Sequence, residues 1–200
     1  TIPANPFELR ADEARNLGAG LGITQEWWLG QYGEPRLVYT DKAFRKGRWL
    51  ASNRRTIHMA IDVFAPAGEP VRAPLAGKVA LAENREGHLD YGGVVILEHH
   101  TPAGDVFHTL YGHLAADGAA RLKPGQEIAA GEAFAKLGPA EENGGWEPHL
   151  HFQLALTLDG MGHDWPGVAD PDDWALWQAI CPNPAALLNL PDEAVAYQAI

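Results

Sequence analysis

Two histidines stand two residues apart in the segment PHLHFQL, at His149 and His151. In an extended strand, residues i and i+2 share a face. Both imidazoles would then point one way, with Leu150 and Phe152 turned into the core. Such a pair suits one small target, although an isolated HxH is weak and reads first as a surface strand with two solvated histidines. A second element, RTIHMAIDVF, sets His58 and Asp62 four residues apart. A straight strand would separate them by roughly 13 Å at ~3.3 Å per residue. Two ligands of one zinc need donor atoms only about 2 Å from the metal. Either a helical turn or a bent strand would bring them together, and β-branched Ile57, Ile61 and Val63 disfavour the helix. A bend is therefore expected just after His58, near Ala60. Alone, this pair also reads as an aspartate in a strand-end turn beside an unrelated histidine. A third element, HTLYGHLA, closes an apolar strand with His113, which by itself would be a loop histidine.

Taken together the three elements are more specific. Two histidines and a carboxylate form an N/O donor set that suits zinc with one coordination position open, the arrangement of a catalytic site. Closed structural sites usually rely on cysteines, and the single cysteine, Cys181, lies outside this region. Further histidines near a metal could handle protons, which completes the parts needed for metal-assisted hydrolysis.

The elements that must position these residues are legible as three regions. Residues 1–54 mix a short helical stretch, Phe7 to Leu17, with Gly-rich turns and an aromatic group at Trp27, Trp28, Tyr32 and Tyr39. Residues 55–157 alternate short apolar runs with Gly and Pro turns, the pattern of an all-β domain. The expected strands are Ile57–Phe64, Gly77–Ala82, Gly93–Glu98, Val106–Tyr111, Glu127–Ala129 and His149–Leu156, with no helix between them. Residues 158–200 start as a polar loop and carry two helix starts. Asp170-Pro171 precedes Trp174–Ile180 and Asn183-Pro184 precedes Ala185–Leu188, each an N-cap followed by proline. His99, His100 and His108 are expected to be structural, His88 and His163 exposed, and Trp165, Trp174 and Trp177 packing anchors. Cys181 is expected to be a small buried residue.

Composition narrows the partners. A formal net charge of -11 argues against nucleic acid, which needs a basic patch, and mildly against tight binding to a polyanionic wall matrix. There is no run of 18 apolar residues to span a membrane. The chain starts without methionine and without a signal-peptide pattern, so a processed product or an excised segment is expected. Oligomeric state leaves no trace in the sequence.

The order HxxxD, YGHL, PHLHF resembles the lysostaphin/LytM-type peptidoglycan metalloendopeptidases. The intervening AlaProAlaGly (65–68), AlaProLeuAlaGlyLysVal, Tyr91-Gly92 and LysProGlyGln (123–126) match in order, over about residues 55–157. The resemblance implies a compact, mostly antiparallel β core of the duplicated-hybrid-motif, barrel-sandwich-like kind, with a groove over the metal. It implies Zn2+ held by His58, Asp62 and His151, His113 and His149 as the catalytic pair, and a peptide or peptidoglycan-like substrate. Ala60 stands where the family usually has glycine, AsnGlyGlyTrpGluPro (143–148) where it has a short Gly-Pro turn, and Gln153 where it often has glutamate. The flanking GlnTyrGlyGluProArg (31–36) and ProAsnProAlaAlaLeuLeu stretches, with the AsnGlyGlyTrp insertion, also look like the metallopeptidase-type module of long bacterial polypeptides. There it lies between a kinase-like phosphotransferase and a class III aminotransferase domain. That context implies a cytoplasmic module, metal-binding or structural, without peptidoglycan hydrolysis; a missing signal peptide would instead imply the cell envelope.

Overall fold

Apolar and β-branched residues make Gly92–His100 and Val106–Leu114 the two long central strands of the protein. The computed structural model describes residues 28–40, 55–159, 165–190 and 195–197. In chain order the strands are β1 (Trp28–Gly30), β2 (Ile57–His58), β3 (Ile61–Phe64), β4 (Pro70–Arg72), β5 (Gly77–Arg85), β6 (Gly92–His100) and β7 (Val106–Leu114). They continue with β8 (Glu127–Ile128), β9 (Ala133–Lys136), β10 (His149–Ala155) and β11 (Val168–Ala169). Seven of them form one sheet in the order β1-β3-β10-β7-β6-β5-β8, with every neighbouring pair antiparallel. β11 pairs with β2, and β4 with β9.

Both faces of the sheet are covered. Val95 and Leu97 of β6 enter one apolar cluster with Tyr111, Leu114 and Phe152. Val94 and Ile96, the alternate residues, enter a second with Met59, Leu110, Trp165 and Cys181. Burial on both sides explains why this strand reads as an unbroken apolar run rather than an alternating one. The second face is covered by the C-terminal region. There Pro171–Asp173 and Ala185–Leu188 are short 3-10 turns and Trp174–Ile180 is a helix. Asp170 Oδ1 accepts from the Asp172 amide, the capping role expected of it, whereas the second turn has Pro184 at its N-cap and Asn183 Oδ1 accepts from the Ala185 amide one residue further out than expected. Trp174, Trp177 and Ile180 pack on the second cluster.

Three differences from the sequence reading stand out. The run 57–64 is two strands broken at Met59–Ala60, not one. A helix absent from that reading, Ala116–Arg121, follows β7, its alanines favouring it and Arg121 pairing with Asp117 across one turn at 2.8 Å. β1, from the N-terminal region, joins the sheet edge beside β3. The helical stretch expected at Phe7 to Leu17 and the loop histidine His163 lie outside the described residues.

Candidate metal centre

The break at Met59–Ala60 turns His58 and Asp62 toward each other. Ala60 makes the bend without entering the left-handed region; among described non-glycine residues only Leu89, His113 and Asn189 have positive φ. β10 docks on β3 with His151 opposite Asp62 and His149 opposite Phe64. On its other side His151 lies opposite Gly112 of β7, where a Cβ would come within 2.5 Å of the Tyr91 ring. That glycine lets Tyr91 and His151 share one layer.

Three donor atoms converge there. His58 Nε2 lies 3.1 Å from Asp62 Oδ1 and 3.1 Å from His151 Nδ1, and His151 Nδ1 lies 3.3 Å from Asp62 Oδ1. The other nitrogen of each ring is already committed. His58 Nδ1–H donates to the carbonyl of Gln31 (3.1 Å), and His151 Nε2–H donates to Gln153 Oε1 (3.0 Å). Each ring therefore turns a lone pair toward the carboxylate, whose Oδ1 is buried without a hydrogen-bond partner. Three buried lone-pair donors facing one another, with no proton between them, call for a cation. Ligands at about 2.0–2.1 Å in a tetrahedron stand about 3.3–3.4 Å apart, so the cluster has the dimensions of a zinc site. The residues present thus fit the metal.

The carboxylate's other oxygen is held from behind. Arg36 Nη1 donates to Asp62 Oδ2 at 2.6 Å, and its Nε bonds Glu34 at 3.0 Å. Arg36 and Asp62 are 6% and 1% exposed, so this ion pair is essentially dry. Burial pushes the Asp62 carboxyl up, but His58 and Arg36 outweigh it and hold it well below the usual carboxylate range. Burial, with Arg36 nearby, lowers the His58 imidazole to about 4, so it is neutral and able to ligate at neutral pH.

His113 and His149 complete the cluster, their rings 4.4 Å apart and His149 Nε2 3.8 Å from Asp62 Oδ1. One loop orients both. His113 Nδ1–H donates to the Asn143 carbonyl (3.0 Å) and His149 Nδ1–H to the Glu147 carbonyl (2.6 Å). Both rings are thus left with Nε2 as an acceptor. Burial, then the neighbouring His149, lowers the His113 imidazole well below its usual value; burial chiefly lowers His149 too. Two pockets of about 180 and 210 Å3 meet at the cluster and share Tyr39, Leu89, His113, Trp146 and His151. One extends past Arg85 and Trp165, the other past Phe64 and Glu147.

The five residues singled out from the sequence come together here. His99 is instead buried between the Ala76 carbonyl and Thr109 Oγ1, His108 is buried, and His88 and His100 are exposed. Sequence reasoning gave Arg36 no role of its own, only a place at the end of the GlnTyrGlyGluProArg stretch. It also missed the orienting carbonyls, which carry no side-chain signal at all. Gln153 was visible as a departure from glutamate.

Residues 56–161 match the model of Peptidase family M23, just over half of the chain. The chain belongs to this family. M23 peptidases are zinc-dependent, in keeping with the donor set above. The DD-carboxypeptidase/endopeptidase Mpg of Neisseria gonorrhoeae is 32% identical over 101 residues, half of this chain but only 20% of that protein. Among solved structures, this M23 chain is similar to the catalytic domain of the antimicrobial peptidase lysostaphin from Staphylococcus simulans. The identity is 21%, over 74% of this chain and 91% of that one, with a TM-score of 0.46. It is also similar to a zinc-containing peptidase from Vibrio cholerae, at 26% identity over 62% of this chain and 36% of that one, with a TM-score of 0.39.

Proposed function

We propose that this module hydrolyses peptide bonds as a zinc metallopeptidase, with residues 55–157 as the catalytic unit and peptidoglycan-type cross-link peptides as its substrates. The observation that carries the reading is the convergence of three buried lone-pair donors, His58 Nε2, Asp62 Oδ1 and His151 Nδ1, on the floor of an open groove. Family membership and the likeness to Mpg, named as a carboxypeptidase and endopeptidase, support the substrate class.

In this reading His58, Asp62 and His151 hold zinc, which when bound supplies Lewis-acid polarisation of a carbonyl and a more acidic water. Everything else is done by the chain. The Asn143 and Glu147 carbonyls keep the proton of His113 and His149 on Nδ1, so each Nε2 faces the groove as a base. Their burial keeps both rings neutral and ready to accept. One Nε2 takes the proton of the attacking water and returns it to the leaving amine. Between those two transfers that same ring, now protonated, lies beside the developing oxyanion and stabilises it, while the other ring's neutral Nε2 accepts a hydrogen bond from the water and orients it. Trp146 and Tyr39 wall the groove where its two arms meet.

The test is turnover by zinc-loaded protein on purified peptidoglycan and on defined cross-link peptides, with product bonds identified by mass spectrometry. Cleavage abolished by chelation and restored by zinc is the expected result. Cleavage of soluble peptides but not of peptidoglycan would keep the chemistry and replace the substrate, as an intracellular module would require. Zinc-loaded protein that cleaves neither would sink the hydrolase reading.

A further inference from the structure

The residue two places beyond His151 on β10 is Gln153, on the same face and fully buried. Its amide has a donor end and an acceptor end, and the surroundings decide which lies where. Gln153 Nε2 donates to the carbonyl of Pro166 (3.2 Å) and to Cys181 Sγ (3.3 Å). A carbonyl only accepts, so the nitrogen must lie on that side. Oε1 is then forced toward His151 Nε2, 3.0 Å away. A flipped amide would set its oxygen against the Pro166 oxygen and its N–H groups against the His151 N–H. Buried groups left unpaired in this way are costly, so the amide has one orientation.

We infer that Gln153, clamped by Pro166 and Cys181, is a positioning residue that fixes the His151 ring and its Nε2–H so that Nδ1 faces the metal donors. The inference rests on reading His151 as a ligand. Without the acceptor at Gln153 Oε1, the His151 proton has a competing place on Nδ1, 3.3 Å from the Asp62 carboxylate, where it blocks the ligand atom. The clamp comes from both ends of the chain. Pro166 and Cys181 belong to the C-terminal region, and the Cys181 carbonyl accepts from Tyr32 Oη at 2.6 Å. The same region supports the other histidine, for β11 pairs with β2 at Val168 and His58, and the Met59 amide donates to the Gly167 carbonyl. The flanking regions thus set the geometry of the ligands that lie between them.

The experiment measures zinc affinity by chelator competition, and proton exchange at His151 Nε2 in the zinc-loaded full chain by nitrogen-edited NMR. Q153L keeps the bulk and loses the acceptor. It is expected to bind zinc about 10- to 100-fold more weakly, the usual consequence of losing an outer partner of a metal-bound histidine, and to lose a protected Nε2–H signal. Q153E keeps the acceptor toward His151 but sets its second oxygen against the Pro166 carbonyl, so it is expected to lower stability while holding zinc more tightly than Q153L. C181V removes one clamp and is expected to speed Nε2–H exchange. Folded Q153L with wild-type zinc affinity would overturn the inference, as would equal losses in Q153L and Q153E. If Q153L does not fold, C181V decides, and unchanged exchange there overturns it. H151A separates the two readings: zinc retained in H151A removes the ligand assignment itself, whereas zinc lost in H151A and kept in Q153L removes only the role of Gln153.

Discussion

At the scale of residues, the two histidines of β10 are held differently although they share a face. His151 offers Nδ1 to the donor cluster, whereas His149 keeps Nδ1 on the Glu147 carbonyl and offers Nε2 to the groove. H151A is therefore expected to lose most of its zinc. H113A and H149A are expected to keep near-stoichiometric zinc but lose about 100- to 10,000-fold in turnover, the typical worth of a positioned acid or base. Elemental analysis beside a peptide-cleavage assay checks this, and the opposite pattern for His149 and His151 would invert the assignment. Arg36 makes a second prediction. R36M leaves the Asp62 Oδ2 buried beside an apolar side chain, and removing one partner of a buried pair costs about 3–5 kcal/mol. Denaturant unfolding of the metal-free protein should show a loss of that order; an unchanged midpoint would mean that water replaces the guanidinium.

At the scale of elements, what the sequence reveals depends on how far apart in the chain the partners lie. Strand spacing nominates His58 with Asp62, and His149 with His151, as pairs, but each pair alone is weak and their roles come from the resemblance to the lysostaphin/LytM-type peptidases. The long strands are legible because apolar runs between turns leave few alternatives. The pairs β4–β9 and β2–β11 are short and mostly defined by their partners, so no local pattern announces them. The same holds for Arg36 on Asp62, 26 residues away, and for Cys181 on Gln153, 28 away. The loop after Gly138 is the element that orients both catalytic candidates, and its glycines are required by geometry. Gly144 has φ of +89°, and a Cβ there would lie 2.1 Å from the Asp90 carbonyl oxygen. G144A must shift the loop and with it the carbonyls of Asn143 and Glu147. It is expected to keep zinc, lower turnover at least tenfold and lower the melting temperature by several degrees, about 2–4 °C for each kcal/mol in a chain of this size. Unchanged turnover would show that the histidines hold their orientation without the loop.

At the scale of the whole molecule, the cluster of neutral buried histidines makes stability depend on pH in a definite direction. Their folded values lie below the unfolded value of 6.5, with His58 at about 4. Between those values the unfolded chain binds more protons than the folded one, so stability falls as pH drops below about 6.5. For the His58 contribution the loss is complete near pH 4. Thermal unfolding of metal-free protein is expected to be flat near pH 7 to 8 and to fall steadily below 6.5. H58A, H113A and H149A should flatten that slope; a slope unchanged in all three would assign it to other groups. Zinc should lift the whole curve and steepen its acid side, because protons and metal compete for the same nitrogens.

The separation of the donors along the chain has a consequence for when the metal can arrive. His58 and Asp62 come early, and His151 follows only after β4 to β9 have been made. β3 has two neighbours in the sheet, β1 and β10, so the last of the three donors docks beside the other two only when the sheet is nearly closed. During synthesis the nascent chain can offer a metal at most a weak two-donor site, and the tight one appears late, after the costly long-range closure has occurred. With His58, Asp62 and His151 as the proposed ligand set, tight metal binding is thus coupled to that long-range closure rather than to any local segment.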